Sequence, residues 1–415
     1  MVLKQQNKLF ENFLAMLVLQ VSNYVFPFLT IPYLSRVLTT SHYGIILFAL
    51  SITSYLGLIC DYGFGLTATR DASRLHADPQ AINNLLSSVT AIKLILFVIM
   101  FICALSYILL IPHYRHDYLV YLFTFLSLIY NVFFPSWLFQ GLEKMRYITF
   151  VNVFMRLISV VLIFSCIRQD KDYVLIPVLN LIPIVLSLVY IQYVLHKQLL
   201  IRYLLPKLSQ LIFQLQQGWH IFLSTIIGSF YATSNSFVLG LFTHNVTYVA
   251  YYANAEKIIT AMNSIYGAFF SALFPQAVKL LVEDRANGLR YIKKKILQTA
   301  VLSLLISLII FVLAKMIVLF LLGSKYLPTV NVLRILIFVP VVICISNLLV
   351  IQTIIPLGYE QILPKLYAGS SLLYLLLAYF LVSKYAYIGM ALSVLIVELV
   401  VITTAYWFLK FKKIL

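Results

Sequence analysis

Apolar residues fall along this chain in long blocks, with the polar and charged residues gathered between them. Each block is about 20 residues or longer, the length a helix needs to cross the roughly 30 Å hydrocarbon core of a bilayer. A helix-length window places twelve spans. Six occupy residues 10–34, 43–63, 82–111, 118–140, 147–167 and 173–195. Six more follow at 220–242, 248–274, 296–314, 329–355, 363–382 and 387–409. The expected fold is all-α and polytopic: twelve transmembrane helices in two six-helix lobes around a central cavity.

Composition removes the soluble alternatives. Of 415 residues, 62% are hydrophobic and 10% charged, with a mean hydropathy of +0.98, so a soluble domain would have no surface to show to water. The net charge of +17 sits mostly between the spans. That placement suits anionic lipid headgroups rather than nucleic acid, which would want a soluble basic surface.

Counting Lys and Arg on alternate sides gives 19 on the N-terminal side and 7 on the other, with four inside spans. By the positive-inside rule both termini of this multi-pass membrane protein are cytoplasmic. The first block continues through Pro27 and Pro32 with no small-residue cleavage site, so it reads as a span and not as a leader. Cys60, Cys103, Cys166 and Cys344 are far apart in apolar blocks and read as packing residues.

The polar-to-amphipathic stretch 197–219 divides the chain into an N-terminal lobe, 1–196, and a C-terminal lobe, 220–415. Each half has a long, basic second-to-third connection, at 67–81 and 276–295. These are expected to be short amphipathic helices on the cytoplasmic face, with Leu280, Leu281 and Ile292 dipping into the interface. The matched pattern implies a parallel repeat about an axis normal to the membrane.

The first helix of each half is unusually polar. The first carries Gln20, Asn23, Tyr24, Pro27 and Pro32; the seventh carries Ser224, Gly228, Ser229 and Asn235. Polar groups facing lipid are costly, so these residues line a wet cavity or bond helix to helix.

Few charges lie within spans, and these are the candidates for function. Arg156 is about 14 Å deep in the fifth span at 1.5 Å per residue. Lys257 lies beside Glu256 at similar depth in the eighth. Arg36, Arg70 and Arg334, nearer the span ends, complete the cationic set, with Arg334 able to snorkel. Lys93 is expected to snorkel as well. Glu256 or Glu398 could instead neutralise Arg156, or Glu398 could couple transport to an ion. Asp61 and Arg70 flank the glycines of DYGFGLTATR and either pair or gate. The run His113 to Asp117 lacks supporting ligands elsewhere, so no metal is expected. Nucleotide-loop, hydrolase and zinc-protease motifs do not occur, so the chain reads as a carrier without a cofactor rather than an enzyme.

Several segments resemble those of bacterial O-antigen flippases of the Wzx type, in the polysaccharide-transport branch of the MOP exporter superfamily. They are SNYVFPFLTIPYLSRVL at 22–38, HYGIILFA at 42–49, DYGFGLTATRDASR at 61–74 and PSWLFQGLEKMRYITF at 135–150. YYANAEKI at 251–258, FFSALFPQ at 269–276 and LLGSKYLPTVNVLRIL at 321–336 extend the likeness over the chain. In VLTTSHYG a threonine stands where many relatives have glycine. The resemblance implies movement of an undecaprenyl-diphosphate-linked oligosaccharide from the cytoplasmic to the periplasmic leaflet by alternating access. It also implies partnership with an O-antigen polymerase and a chain-length regulator. A flippase for another lipid-linked glycan, such as an exopolysaccharide or teichuronic-type unit, is the near alternative. A membrane enzyme such as the polymerase itself would be expected to carry a large periplasmic loop.

Overall fold

The computed structural model describes residues 2–75, 78–412 and 414, which are helical with short connections and contain no strand. The chain forms two compact units, Met1–Ile226 and Ile227–Leu415. The first holds α1 (Val2–Val37), α2 (Thr40–Asp61), α3 (Phe64–Arg74), α4 (Pro79–Leu110), α5 (Pro112–Arg115), α6 (Tyr118–Leu126), α7 (Ile129–Phe133), α8 (Ser136–Gly141), α9 (Met145–Cys166) and α10 (Leu175–Tyr193). It ends in the first part of α11 (Leu208–Thr233). The second holds the rest of α11, then α12 (Asn235–Thr243), α13 (Val246–Glu283), α14 (Arg285–Leu321), α15 (Thr329–Leu336), α16 (Val339–Leu349) and α17 (Leu363–Phe411).

Helix starts follow local side-chain chemistry. Asp78 Oδ1 accepts from the backbone of Gln80 and Ala81 at 3.0 and 3.1 Å, with Pro79 opening α4 where no N–H is needed. Asp284 does the same for α14 through Ala286 and Asn287. Asn245 caps α13 and Thr39 caps α2.

Among the described residues nine helical segments are long and apolar enough to cross a membrane, or ten if the bent α13 is one span. The twelve expected from hydropathy are not matched by that count, for two physical reasons. The last two expected spans are two helices that run into each other without a loop within α17, on either side of Ala386, whose φ of 49° and ψ of −128° are not helical. The chain folds back there, Tyr374 Oη donating to Met390 Sδ at 3.4 Å. The seventh expected span is divided between α11 and α12 at Ser234.

The span expected at 118–140 is one apolar segment, Tyr118–Gly141, long enough to cross. Its helix is interrupted between α6, α7 and α8, at Ser127–Leu128 and at Phe134–Pro135, where the proline offers no donor to continue the ladder. α1 stays one helix through Pro27 and Pro32, as expected. One expectation needs correction. The connection at 276–295 is no separate surface helix: α13 and α14 meet in a hairpin at Asp284. Leu281 and Ile292 are buried in protein at 5% and 1% exposure, instead of dipping into lipid.

In the first unit the core gathers Phe64, Ala68 and Ala72 of α3, Leu86 and Val89 of α4, Trp137, Leu138 and Phe139 of α8, and Val151 of α9. The α3–α8 contact is very close. A Cβ on Gly141 would lie 2.6 Å from Ala72 Cβ and 2.8 Å from the Thr69 carbonyl, so only glycine lets the helices meet. Thr69 Oγ1 also donates to the Trp137 carbonyl at 3.3 Å. The two segments quoted above at 61–74 and 135–150 therefore pack against each other.

The extended residues ahead of α11 are pinned to α4. Arg202 N donates to Asn83 Oδ1 at 2.9 Å, and Leu204 N donates to Ser87 Oγ at 2.7 Å. Asn83 and Ser87 are one helical turn apart on one face of α4, which explains polar residues at the head of an apolar span.

Candidate functional site

In the first unit the turn between α2 and α3 is built from consecutive left-handed residues, Tyr62 at φ 50° and Gly63 at φ 78°. A tyrosine there is strained unless its surroundings hold it. Here the Tyr62 ring stacks on Phe222 with centroids 4.4 Å apart, and its hydroxyl donates to the Leu215 carbonyl at 3.2 Å. Gly218 lies under the ring, where a Cβ would come within 2.9 Å of it.

The charges beside this turn pair differently from the sequence expectation. Asp61 does not pair with Arg70. Its Oδ1 accepts from Lys93 Nζ at 2.6 Å, and its Oδ2 accepts from Gly65 N at 3.2 Å. Lys93 is not a snorkeller: its side chain is 4% exposed, against 41% for Asp61. A buried ammonium needs such a partner. Arg70 bonds Asp71 at 2.9 Å and Gln217 Oε1 at 2.6 Å, so it ties α3 to α11.

Arg156 lies near the middle of α9 and is half-buried, beside the Tyr130 phenol. No carboxylate pairs with it among the described residues. Arg36 is exposed at the end of α1. On the same helix Gln20 is exposed and donates to the Tyr24 hydroxyl at 3.4 Å, while Asn23 is half-buried.

In the second unit Glu256 of α13 accepts hydrogen bonds on both oxygens. Asn235 Nδ2 donates to Oε1 at 2.8 Å and Ser236 Oγ donates to Oε2 at 2.9 Å. Asn235 and Ser236 open α12, so the break at Ser234 aims two donors at one carboxylate. Asn235 is 4% exposed with its amide nitrogen spent on this bond. Lys257 stands next along the helix, half-buried and within electrostatic reach of Glu256. Ser224 bonds back to the His220 carbonyl at 2.8 Å, and Ser229 is half-buried. Glu398 on α17 is 9% exposed with no ion-pair partner among the described residues. Arg334 on α15 is half-buried, its guanidinium 5.2 Å from the centre of the Phe311 ring.

Sequence reasoning noticed Lys93 as a charge inside an apolar block but misplaced it as a snorkeller. It missed Ser236, an ordinary polar residue on a polar helix. Where the sequence raised a metal cluster, the structure has Asp117 accepting from the Tyr173 hydroxyl at 2.5 Å and lying 3.3 Å from His116 Nδ1.

The comparisons with known proteins agree with this architecture. Residues 9–281 match the family described as "Polysaccharide biosynthesis protein". An Escherichia coli (strain K12) protein assigned as an O-antigen transporter is 30% identical over 98% of this chain and 97% of its own length. A Shigella dysenteriae protein with the same assignment is 28% identical over 94% and 98%. Among solved structures, a multidrug resistance MATE family transporter of the MOP superfamily, in its inward-facing conformation, has a TM-score of 0.68. That match is 16% identical and covers 96% of this chain and 99% of that one. The lipid II flippase MurJ, in an inward closed conformation, has a TM-score of 0.58 at 15% identity, covering 93% and 87%. The chain thus has the fold of MOP-superfamily transporters and belongs to the polysaccharide biosynthesis protein family, alongside its O-antigen transporters.

Proposed function

We propose that this chain is a flippase of the inner membrane, carrying an undecaprenyl-diphosphate-linked O-antigen repeat unit from the cytoplasmic to the periplasmic leaflet by alternating access. The observation that carries the reading is Arg156, a half-buried guanidinium in mid-helix with no carboxylate to neutralise it among the described residues. A membrane-embedded cation is costly, and an anionic substrate is what would repay that cost. A guanidinium presents a planar fork that suits phosphate oxygens.

Family membership supplies the class of cargo: the relatives are assigned to O-antigen transport, and MurJ, of the same fold, is a flippase for lipid II. Arg156 is the cation we assign to the diphosphate in the first unit, and Lys257 its counterpart in the second. We assign Arg36, Arg70 and Arg334 to the path near its ends, and Glu256 and Glu398 to coupling or gating. The termini face the cytoplasm, as the bias of Lys and Arg implies.

The test is deletion of the gene followed by lipid analysis. Lipid-linked repeat units should accumulate with sugar assembly intact, and surface polysaccharide should be lost. Continued surface polysaccharide with no accumulation would refute the reading.

A further inference from the structure

The segment FFSALFPQ at 269–276 has no part in the site described above. It is where α13 bends: Val246–Ser271 and Leu273–Leu281 meet at 42°. Three local causes coincide there. Pro275 has no N–H to give the Ser271 carbonyl, its partner in a regular helix. Ser271 Oγ donates back to the Gly267 carbonyl at 2.9 Å, a kind of bond that often bends a helix. A side chain from another helix also enters the ladder, Gln352 Nε2 donating to the Phe270 carbonyl at 2.8 Å.

Gln352 reaches this point from an irregular turn that follows α16. Val350–Ile354 is π-helical, with Ile355 N donating to the Val350 carbonyl at 3.3 Å and Thr353 Oγ1 to the Leu348 carbonyl at 2.7 Å. Such turns are rare and recur at functional positions. Gln352 is 1% exposed, so water does not compete for its bond to Phe270.

The two arms of α13 are tied to different partners. The first is held by the bonds of Glu256 to Asn235 and Ser236, and by the Tyr251 ring, 5.5 Å from that of Tyr387 on α17. The second is braced to α14. Tyr291 Oη donates to Gln276 Oε1 at 2.9 Å, and a Cβ on Gly288 would lie 2.8 Å from Leu281 Cα, so there is no slack between the two helices. α14 itself runs unbroken from Arg285 to Leu321.

We propose that Ser271–Pro275 is a hinge, about which the second arm of α13 swings together with α14, and that Gln352 is the latch that holds the bent state through the Phe270 carbonyl. The inference deepens the flippase reading and rests on it: the hinge names the moving element of the second unit, at the end that the charge bias assigns to the cytoplasm.

The test puts spin labels on Lys279→Cys and Lys365→Cys of the full-length chain, both exposed positions, with the exposed Cys103 and Cys166 changed to serine. Lys279 lies about 10 Å beyond the hinge at 1.5 Å per residue, so straightening the 42° bend moves it by roughly 7 Å. Pulsed dipolar spectroscopy reads the populations of the bent and straight states. Gln352→Met should lower the ratio of bent to straight about tenfold. Pro275→Ala, which returns a donor to the Ser271 carbonyl, should shift the chain the same way. Distances unmoved by Gln352→Met overturn the latch, and distances unmoved by Pro275→Ala overturn the hinge. Pro275 is exposed, so its variant decides the matter alone if Gln352→Met does not accumulate. Glycan exchange by the unsubstituted chain in vesicles is read separately: exchange with unmoved distances sinks the hinge alone, and absence of exchange sinks the flippase reading.

Discussion

Lys93 Nζ stands 2.6 Å from Asp61 Oδ1, joining α4 to the end of α2 across 32 positions of chain. The pair is lopsided, with the lysine enclosed and the carboxylate half open. Removing the acid strands a buried ammonium, whereas removing the lysine leaves a carboxylate that still has the Gly65 N–H and solvent. Asp61→Asn should therefore cost about 3 kcal/mol and Lys93→Met about 1 kcal/mol or less. Thermal unfolding of the purified variants decides it: equal losses, or a larger loss for Lys93→Met, would contradict this geometry.

Gly141 sets the distance between α8 and α3. Gly141→Ala should destabilise by about 2 kcal/mol through overpacking against Ala72 and the Thr69 carbonyl. Ala72→Gly in the same chain should recover part of the loss, since it removes the nearer clash. An unchanged melting temperature for Gly141→Ala would mean the helices do not meet there.

The Asn235–Glu256 bond is a coupling that a double-mutant cycle can read. Asn235→Ala should cost about 1–3 kcal/mol, because it removes a donor from a carboxylate that has few others. In a Glu256→Gln background the same change should cost less, with a coupling of about 1 kcal/mol or more. Strict additivity would show that the amide packs without bonding the acid.

Much of the architecture was legible because periodic apolar blocks survive any tertiary context. The break at Ala386 was legible in the same way, since the spans 363–382 and 387–409 leave it between them. The break at Ser234 was not: it falls inside the expected span 220–242, with no glycine or proline beside it to announce it. Site geometry was legible only as residue types. That Asp61 meets Lys93 rather than Arg70, nine positions away, depends on where α4 packs, which local pattern does not encode. The quoted motifs marked the family, yet their physical reason, the Gly141–Ala72 contact, needed the fold. Asn83 and Ser87 looked like polar noise at a span end until the extended segment was found bonded to them.

Orientation follows from charge and has its own check. A cysteine at Lys207 should escape a membrane-impermeant thiol reagent added to whole cells, and one at Arg115 should react with it. The opposite pattern would invert the topology.

The central claim is that the chain moves a lipid-linked glycan across the bilayer with Arg156 engaging its diphosphate. The most direct measurement reconstitutes the purified chain in vesicles carrying lipid-linked repeat unit, and follows the fraction of glycan reached by an externally added lectin. With the unsubstituted chain that fraction should move toward equilibrium between leaflets. With Arg156→Ala, at equal protein content, it should stay near the protein-free rate, about a hundredfold slower for the loss of a charge-assisted bond to phosphate worth about 2–3 kcal/mol; Arg156→Lys should fall between. Full exchange by Arg156→Ala, or no exchange by the unsubstituted chain, would contradict the account.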